Sequence, residues 1–165
     1  IGTAFHRMMR MLDLDTLKAT HDLGREIKAQ REKLHGDGIV SDAELSAVPP
    51  GMLTRFFASP LGVRILESKE VHREWAFTYR RETEAGVQLL QGVIDCCFIE
   101  RGAWVLVDYK TDRVDDEQTL VNRYAEQLAW YARALTEITG KPVKERYLYA
   151  LRVGKAIAVP EIDAK

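Results

Sequence analysis

Asp95, Asp108 and Lys110 interrupt strongly apolar runs, and their spacing brings them within reach of one another. Val93-Ile94 and Cys96-Cys97-Phe98 flank the first acid, and Trp104 to Val107 precede the second. Between the runs, Glu100-Arg101-Gly102-Ala103 supplies the glycine that a two-residue primed turn needs at positive φ, so Gln91 to Thr111 reads as a β-hairpin. With Arg101-Gly102 as the turn, Glu100 opposes Ala103. The antiparallel register carried outward sets Asp95 across from Asp108, with β-carbons about 4.5–5.5 Å apart. Lys110, two residues on, leaves the same face. Facing carboxylates destabilise a ladder unless positive charge lies between them, so the pattern suggests a divalent cation with Lys110 as a neighbouring donor. The plain alternative, two solvated acids on an exposed face, conflicts with the apolar runs, which argue for a sheet covered on both sides. A bulge beside the site would break the direct opposition without destroying the site.

The remaining elements must hold this hairpin. Phe5, Met8, Met9 and Leu12 recur at helical spacing, with Thr3 as the expected N-cap and His6 in the first turns. Asp15 to Leu34 reads as one charged helical segment stopped at His35-Gly36-Asp37-Gly38. Ser41 with Glu44 forms a capping box for a short helix ended by Pro49-Pro50-Gly51. Met52, Phe56 and Phe57 read as core, and Ser59 with Pro60 opens another helix. Val71 to Tyr79 is an expected strand in which Trp75, Phe77 and Tyr79 alternate with Glu74, Ala76 and Thr78. Glu74 is either a polar residue on a wetter face or a third acid of the site. Glu82 to Gly86 turns the chain into the hairpin.

After Lys110, Asp115 with Gln118 is expected to cap a long helix reaching Thr139, where Gly140 and Pro142 stop it. Its stripe runs Leu120, Tyr124, Leu128, Tyr131, Leu135 and Ile138. Gln127 and Tyr131 sit one turn apart along it, and a glutamine beside a buried stripe needs a polar partner. Val143 to Leu151 returns as a strand, completing a β-α-β crossover, and Val153-Gly154 turns into a last strand ending near Val159. The expected class is α/β, a mixed sheet with helices on both faces.

The sequence has 165 residues, 46% hydrophobic and 30% charged, which fits one globular domain with a substantial core. No run reaches the length of a membrane span and no signal peptide opens the chain, so the expectation is a cytoplasmic protein with no membrane partner. The chain begins at Ile1 without a methionine and enters a motif at once; it is expected to be a single domain, residues 1–165, cut from a longer polypeptide. Its two cysteines, Cys96 and Cys97, are neighbours on a strand and point to opposite faces, which excludes a disulfide framework or a cysteine metal cluster. Both read as small buried hydrophobes. The formal net charge of −1 is low for tight nucleic-acid binding, so any such binding relies on a local patch. Arg7, Arg10, Lys28, Arg31, Arg113 and Arg123 are the candidates.

Gly92-Val93-Ile94-Asp95 followed by Asp108-Tyr109-Lys110-Thr111 resembles the acidic core of the restriction-endonuclease-like nucleases in their RecB-family PD-(D/E)XK form. Gly2-Thr3-Ala4-Phe5-His6 is similar to that family's N-terminal histidine motif, and Gln127 with Tyr131 to its QxxxY motif. Together with Ser59-Pro60-Leu61-Gly62 and Arg73-Glu74 these cover most of the chain, and the combination most resembles the C-terminal nuclease domains of AddA-type subunits of bacterial helicase–nucleases.

The resemblance implies a restriction-endonuclease-like mixed β-sheet flanked by helices on both faces. It also implies a Mg2+-dependent deoxyribonuclease, an exonuclease on single-stranded DNA, acting in double-strand break repair and recombination. On the same ground His6, Asp95, Asp108 and the Tyr109 carbonyl are metal ligands, Lys110, Gln127 and Tyr131 are catalytic, and Glu74 lies near the metal. A histidine ligand predicts that Mn2+ is tolerated. Relatives with an iron–sulfur cluster carry four cysteines, so no such cluster is expected. The implied partners are single-stranded DNA, helicase domains of the same polypeptide and a second subunit of AddB type. The chief rival is a non-catalytic DNA-binding or scaffold domain on the same fold. A restriction-type endonuclease is disfavoured by the near-neutral charge and the missing recognition segment.

Overall fold

A computed structural model describes residues 1–113 and 115–165. Helices α1 (Gly2–Met11), α2 (Leu14–Ala19), α3 (Leu23–Gly36), α4 (Asp42–Ala47), α5 (Pro50–Ala58) and α6 (Pro60–Glu67) come first. Strands β1 (Val71–Thr83), β2 (Gly86–Glu100) and β3 (Ala103–Lys110) follow, then helix α7 (Glu117–Thr139) and strands β4 (Val143–Ala150) and β5 (Lys155–Ala158). The strands form one mixed sheet in sequence order, antiparallel except for the parallel pair β3–β4 that α7 bridges. No described helix is long and apolar enough to cross a membrane.

The sheet has a core on each face. Phe5, Met8, Leu12, Leu53 and Phe56 pack from the N-terminal helices onto Cys96, Phe98, Val107 and Tyr109. On the other face Leu120, Leu128, Ala132 and Leu135 of α7 cover Ile94, Cys97, Leu106 and Leu148. The β2–β3 turn is the expected one, with Arg101 at φ 53° and Gly102 at φ 79°. Strands β1 and β2 have 13 and 15 residues against 8 in β3, so beyond Ala76↔Val93 they continue as a two-stranded ribbon to Thr83↔Gly86.

Several boundaries differ from expectation for local reasons. Helix α1 starts at Gly2 with Ile1 at the N-cap; a β-carbon on Gly2 would lie 3.3 Å from Thr111 Cγ2, so the helix end abuts the strand end and Thr3 falls inside the helix. The charged segment is two helices, because Thr20 is extended and the Asp22 carboxylate accepts the Arg25 N–H to start α3. Pro50 opens α5 instead of ending α4. Strand β1 runs to Thr83, so the turn falls at Glu84-Ala85. Asp116, not Asp115, caps α7 by accepting from Gln118 and Thr119, and Ile138 is exposed. The capping box of Ser41 and Glu44 forms as read.

Away from the acids, Arg64 of α6 grips Glu100 through two hydrogen bonds of 2.9 Å and reaches Glu145 at 2.8 Å, while Lys144 donates to Glu100 at 2.7 Å. The Arg64 guanidinium, then Lys144, lowers the Glu100 carboxyl to about 2 from 4.5. A depressed folded-state pKa gives stability that is fully present above about 4.5 and lost as the pH falls through about 2. Glu100→Gln is therefore expected to melt lower than the unchanged chain at pH 7, with the two melting temperatures converging as the pH drops across that window. Thermal melts in a pH series check this; a gap that persists at the acid end assigns the loss to packing.

Candidate active site

The hairpin register runs from Glu100↔Ala103 to Cys96↔Val107 and stops one pair short of Asp95 and Asp108. Asp95 Oδ2 instead accepts the Tyr109 N–H at 2.8 Å and stands 3.2 Å from His6 Nε2. On its other side, Arg73↔Cys96 and Trp75↔Ile94 bracket Glu74 and Asp95. Glu74 adopts φ 52°, the left-handed region that non-glycine residues rarely enter. Both strands change face at this point. Arg73 donates to the Met9 and Leu12 carbonyls on the α1 side, yet His72 and Trp75 stack together, with ring centroids 5.0 Å apart, against Trp104 on the α7 side. Ile94 likewise joins Cys97 in the α7-side core, although strict alternation would group it with Cys96. The direct cross-strand opposition of Asp95 and Asp108 is therefore replaced by a local slip that turns Asp95 toward α1, while the two carboxyls stay within reach of each other.

The slip gathers donors. Ligand atoms of His6, Glu74 and Asp95 all lie within 4.8 Å of one another. Glu74 Oε1 is buried with no hydrogen-bond partner among the described residues, a costly state that a cation would relieve. Burial, and then the Asp95 charge, raises the Glu74 carboxyl; the same two causes in the same order push Asp108 up strongly, against the pull of Lys110. The Asp95 carboxylate raises His6, opposed by burial. A cluster that resists carrying its full negative charge suits a dication.

Asp108, 4% exposed, keeps the expected side shared with Lys110, whose Nζ is 2.8 Å away. That ammonium donates to Gln127 Oε1 at 3.3 Å and lies 3.9 Å from the centre of the Tyr124 ring. Gln127 Nε2 in turn donates to the Tyr131 hydroxyl, and the Tyr131 ring stands edge-on to Phe77. Gly92 permits that contact: a β-carbon there would come 2.9 Å from both rings. Burial lowers the Lys110 pKa, but Asp108 outweighs it and the net shift is upward, so Lys110 stays charged.

The family model described as the PD-(D/E)XK nuclease superfamily matches residues 1–162. The chain belongs to that superfamily. It is 40% identical over 171 residues to the A-type subunit of the ATP-dependent helicase/nuclease of Acetivibrio thermocellus, covering 94% of this chain and 13% of that protein. It is 36% identical over 160 residues to the protein of the same description from Clostridium kluyveri, covering 90% and 13%. The Carboxydothermus hydrogenoformans protein, also so described, matches at 36% over 171 residues, covering 96% and 14%. The chain thus spans 13–14% of the length of these curated relatives.

Around the PD-(D/E)XK core, one residue to which the sequence reading gave no role at the site, Tyr124, lies against Lys110. Tyr124, read only as stripe, donates its hydroxyl to Asp112 at 2.9 Å, and Arg123 reaches the same carboxylate at 2.6 Å. The available signal was spacing, since Tyr124 precedes Gln127 by three positions on one helix face. Three members of the anticipated basic patch are engaged with other groups. Arg31 is buried, donating to the Leu45 and Val48 carbonyls; Arg123 serves Asp112; Arg7 pairs with Glu44 at 3.1 Å. Arg10 remains beside Glu74, in a groove of about 600 Å³ that Thr3, His6 and Arg7 also line. The buried thiols are no nucleophiles: burial pushes Cys96 up to about 12 and Cys97 higher still.

Proposed function

We propose that this chain is the nuclease domain of an ATP-dependent helicase–nuclease, a Mg2+-dependent deoxyribonuclease that also accepts Mn2+ and hydrolyses phosphodiester bonds in single-stranded DNA. The observation that carries the reading is the convergence of His6, Glu74 and Asp95 beside the Asp108–Lys110 pair in a PD-(D/E)XK chain. These four donors, with the Tyr109 carbonyl, would hold the cation. When bound it would lower the pKa of a water and polarise a phosphoryl oxygen. Asp95 is oriented for this by the Tyr109 N–H, and His6 by its contact with Asp95. Lys110, an ammonium, donates to the scissile phosphate or to the attacking water and cannot act as the base. Gln127 and Tyr131 fix where it points. No nucleophilic side chain is needed.

The relatives' shared description supports a setting in which residues 1–162 are one domain of a longer polypeptide with helicase domains. There the domain would trim, as an exonuclease, the strand a motor delivers during double-strand break repair and recombination, beside an AddB-type subunit. The test is cleavage of end-labelled single-stranded and blunt duplex oligonucleotides with Mg2+, Mn2+ or EDTA across a salt series. We expect single strands to be cut first, only with metal, and less as salt rises. Binding without turnover in either metal would leave the scaffold reading instead.

A further inference from the structure

Past the metal-ligand candidates, the β1–β2 ribbon leaves one face bare. Its α7 side is packed through Phe77, Tyr79 and Leu90. On the opposite side Ala76, Thr78 and Arg80 pair with Val93, Gln91 and Leu89, and all six are exposed, Val93 at 43% and Leu89 at 65%. These rows begin beside Glu74 and Asp95 and lead outward at about 3.3 Å per residue, with no acid among the six. Along the inner margin, α1 presents Arg10, and Arg7 in its pair with Glu44, in the groove that ends at His6 and Glu74. Arg10 makes no ion pair among the described residues.

A floor free of acids, where Ala76, Val93 and Leu89 alternate with Thr78, Gln91 and Arg80, with Arg10 at its margin and a cluster suited to a metal at its end, matches a single-stranded polynucleotide, whose bases are free to lie on the floor while its phosphates meet the arginines. A duplex turns its bases inward and would leave the floor unused. We propose that this face cradles the single strand on one side of the scissile phosphate, a proposal that rests on the nuclease reading.

The test measures anisotropy of a labelled oligonucleotide with Mn2+ in a Lys110→Ala background, so that binding is read without turnover. Leu89→Glu and the near-isosteric Gln91→Glu are each expected to weaken binding roughly tenfold or more. Arg10→Ser should reduce the slope of log affinity against log salt by about 1. Lys69→Glu, in the cavity by the β2–β3 turn, should leave affinity unchanged. Melting temperatures verify that each variant folds. Unchanged affinity in both glutamate variants overturns the cradle. So does a change in sedimentation without a change in affinity, which would assign the face to a second copy of the chain. If the unchanged protein cuts DNA while these variants bind normally, only the cradle falls; if it neither binds nor cuts, the nuclease reading falls as well.

Discussion

Asp95→Asn is expected to lose the Mn2+-dependent rise in melting temperature and to cut no oligonucleotide at a measurable rate. Asp95 is the hub of the donor cluster, within 3.2 Å of His6 Nε2 and within the 4.8 Å group that includes Glu74. Asparagine keeps an acceptor for the Tyr109 N–H, so the strand geometry survives while the anionic ligand is gone. A ligand that binds the folded state at a hundred times its Kd adds about 2.7 kcal/mol of stability, a shift that melting curves resolve easily. Melts with and without Mn2+, a calorimetric titration and a cleavage assay on the same preparation check it. If the asparagine variant titrates Mn2+ like the unchanged protein, the cation does not sit on this cluster.

Lys110→Ala separates chemistry from metal binding. Lys110 contributes no ligand, so Mn2+ affinity should remain, yet single-turnover cleavage should fall on the order of 10²–10³-fold, the usual loss for one transition-state donor. The ammonium is held at 2.8 Å from Asp108, at 3.3 Å from Gln127 and over the Tyr124 ring. The ring should therefore matter more than its hydroxyl: Tyr124→Leu is expected to lower the turnover rate with KM little changed, and Tyr124→Phe to restore most of it. Wild-type cutting by Lys110→Ala would reduce the lysine to a counter-charge for Asp108.

The parts of the fold legible in the sequence were those set by neighbours along the chain. Arg101-Gly102 dictates a primed turn, and the turn alone fixes the register as far as Cys96↔Val107. Ser41 with Glu44, Ser59 with Pro60, and Gly140 announce helix ends through local hydrogen bonds or backbone conformation. What escaped was set from far away. Strict alternation cannot show that His72 and Trp75 share a face, because the slip at Glu74 depends on α1 and on Asp95. Thr3 has the chemistry of a cap, but contact between Gly2 and Thr111 moves the helix start. Arg31 looked like a surface charge and is instead a buried donor to the end of α4. The donor set was therefore readable as residue types, while the slip that sets Glu74 beside His6 and Asp95 required the folded chain.

The kink at Glu74 also bears on how this molecule avoids sticking to itself. Strand β1 is the outer strand of the sheet, and its 13 residues would offer a long template for another chain to pair with. A left-handed residue four positions in divides that border into a short and a longer length whose faces are out of step, and a partner strand with regular alternation cannot follow both. Arg80, Arg81 and Glu82 place charge on the longer length. The backbone distortion that delivers a carboxylate to the acid cluster thus also guards the open border of the sheet against aggregation.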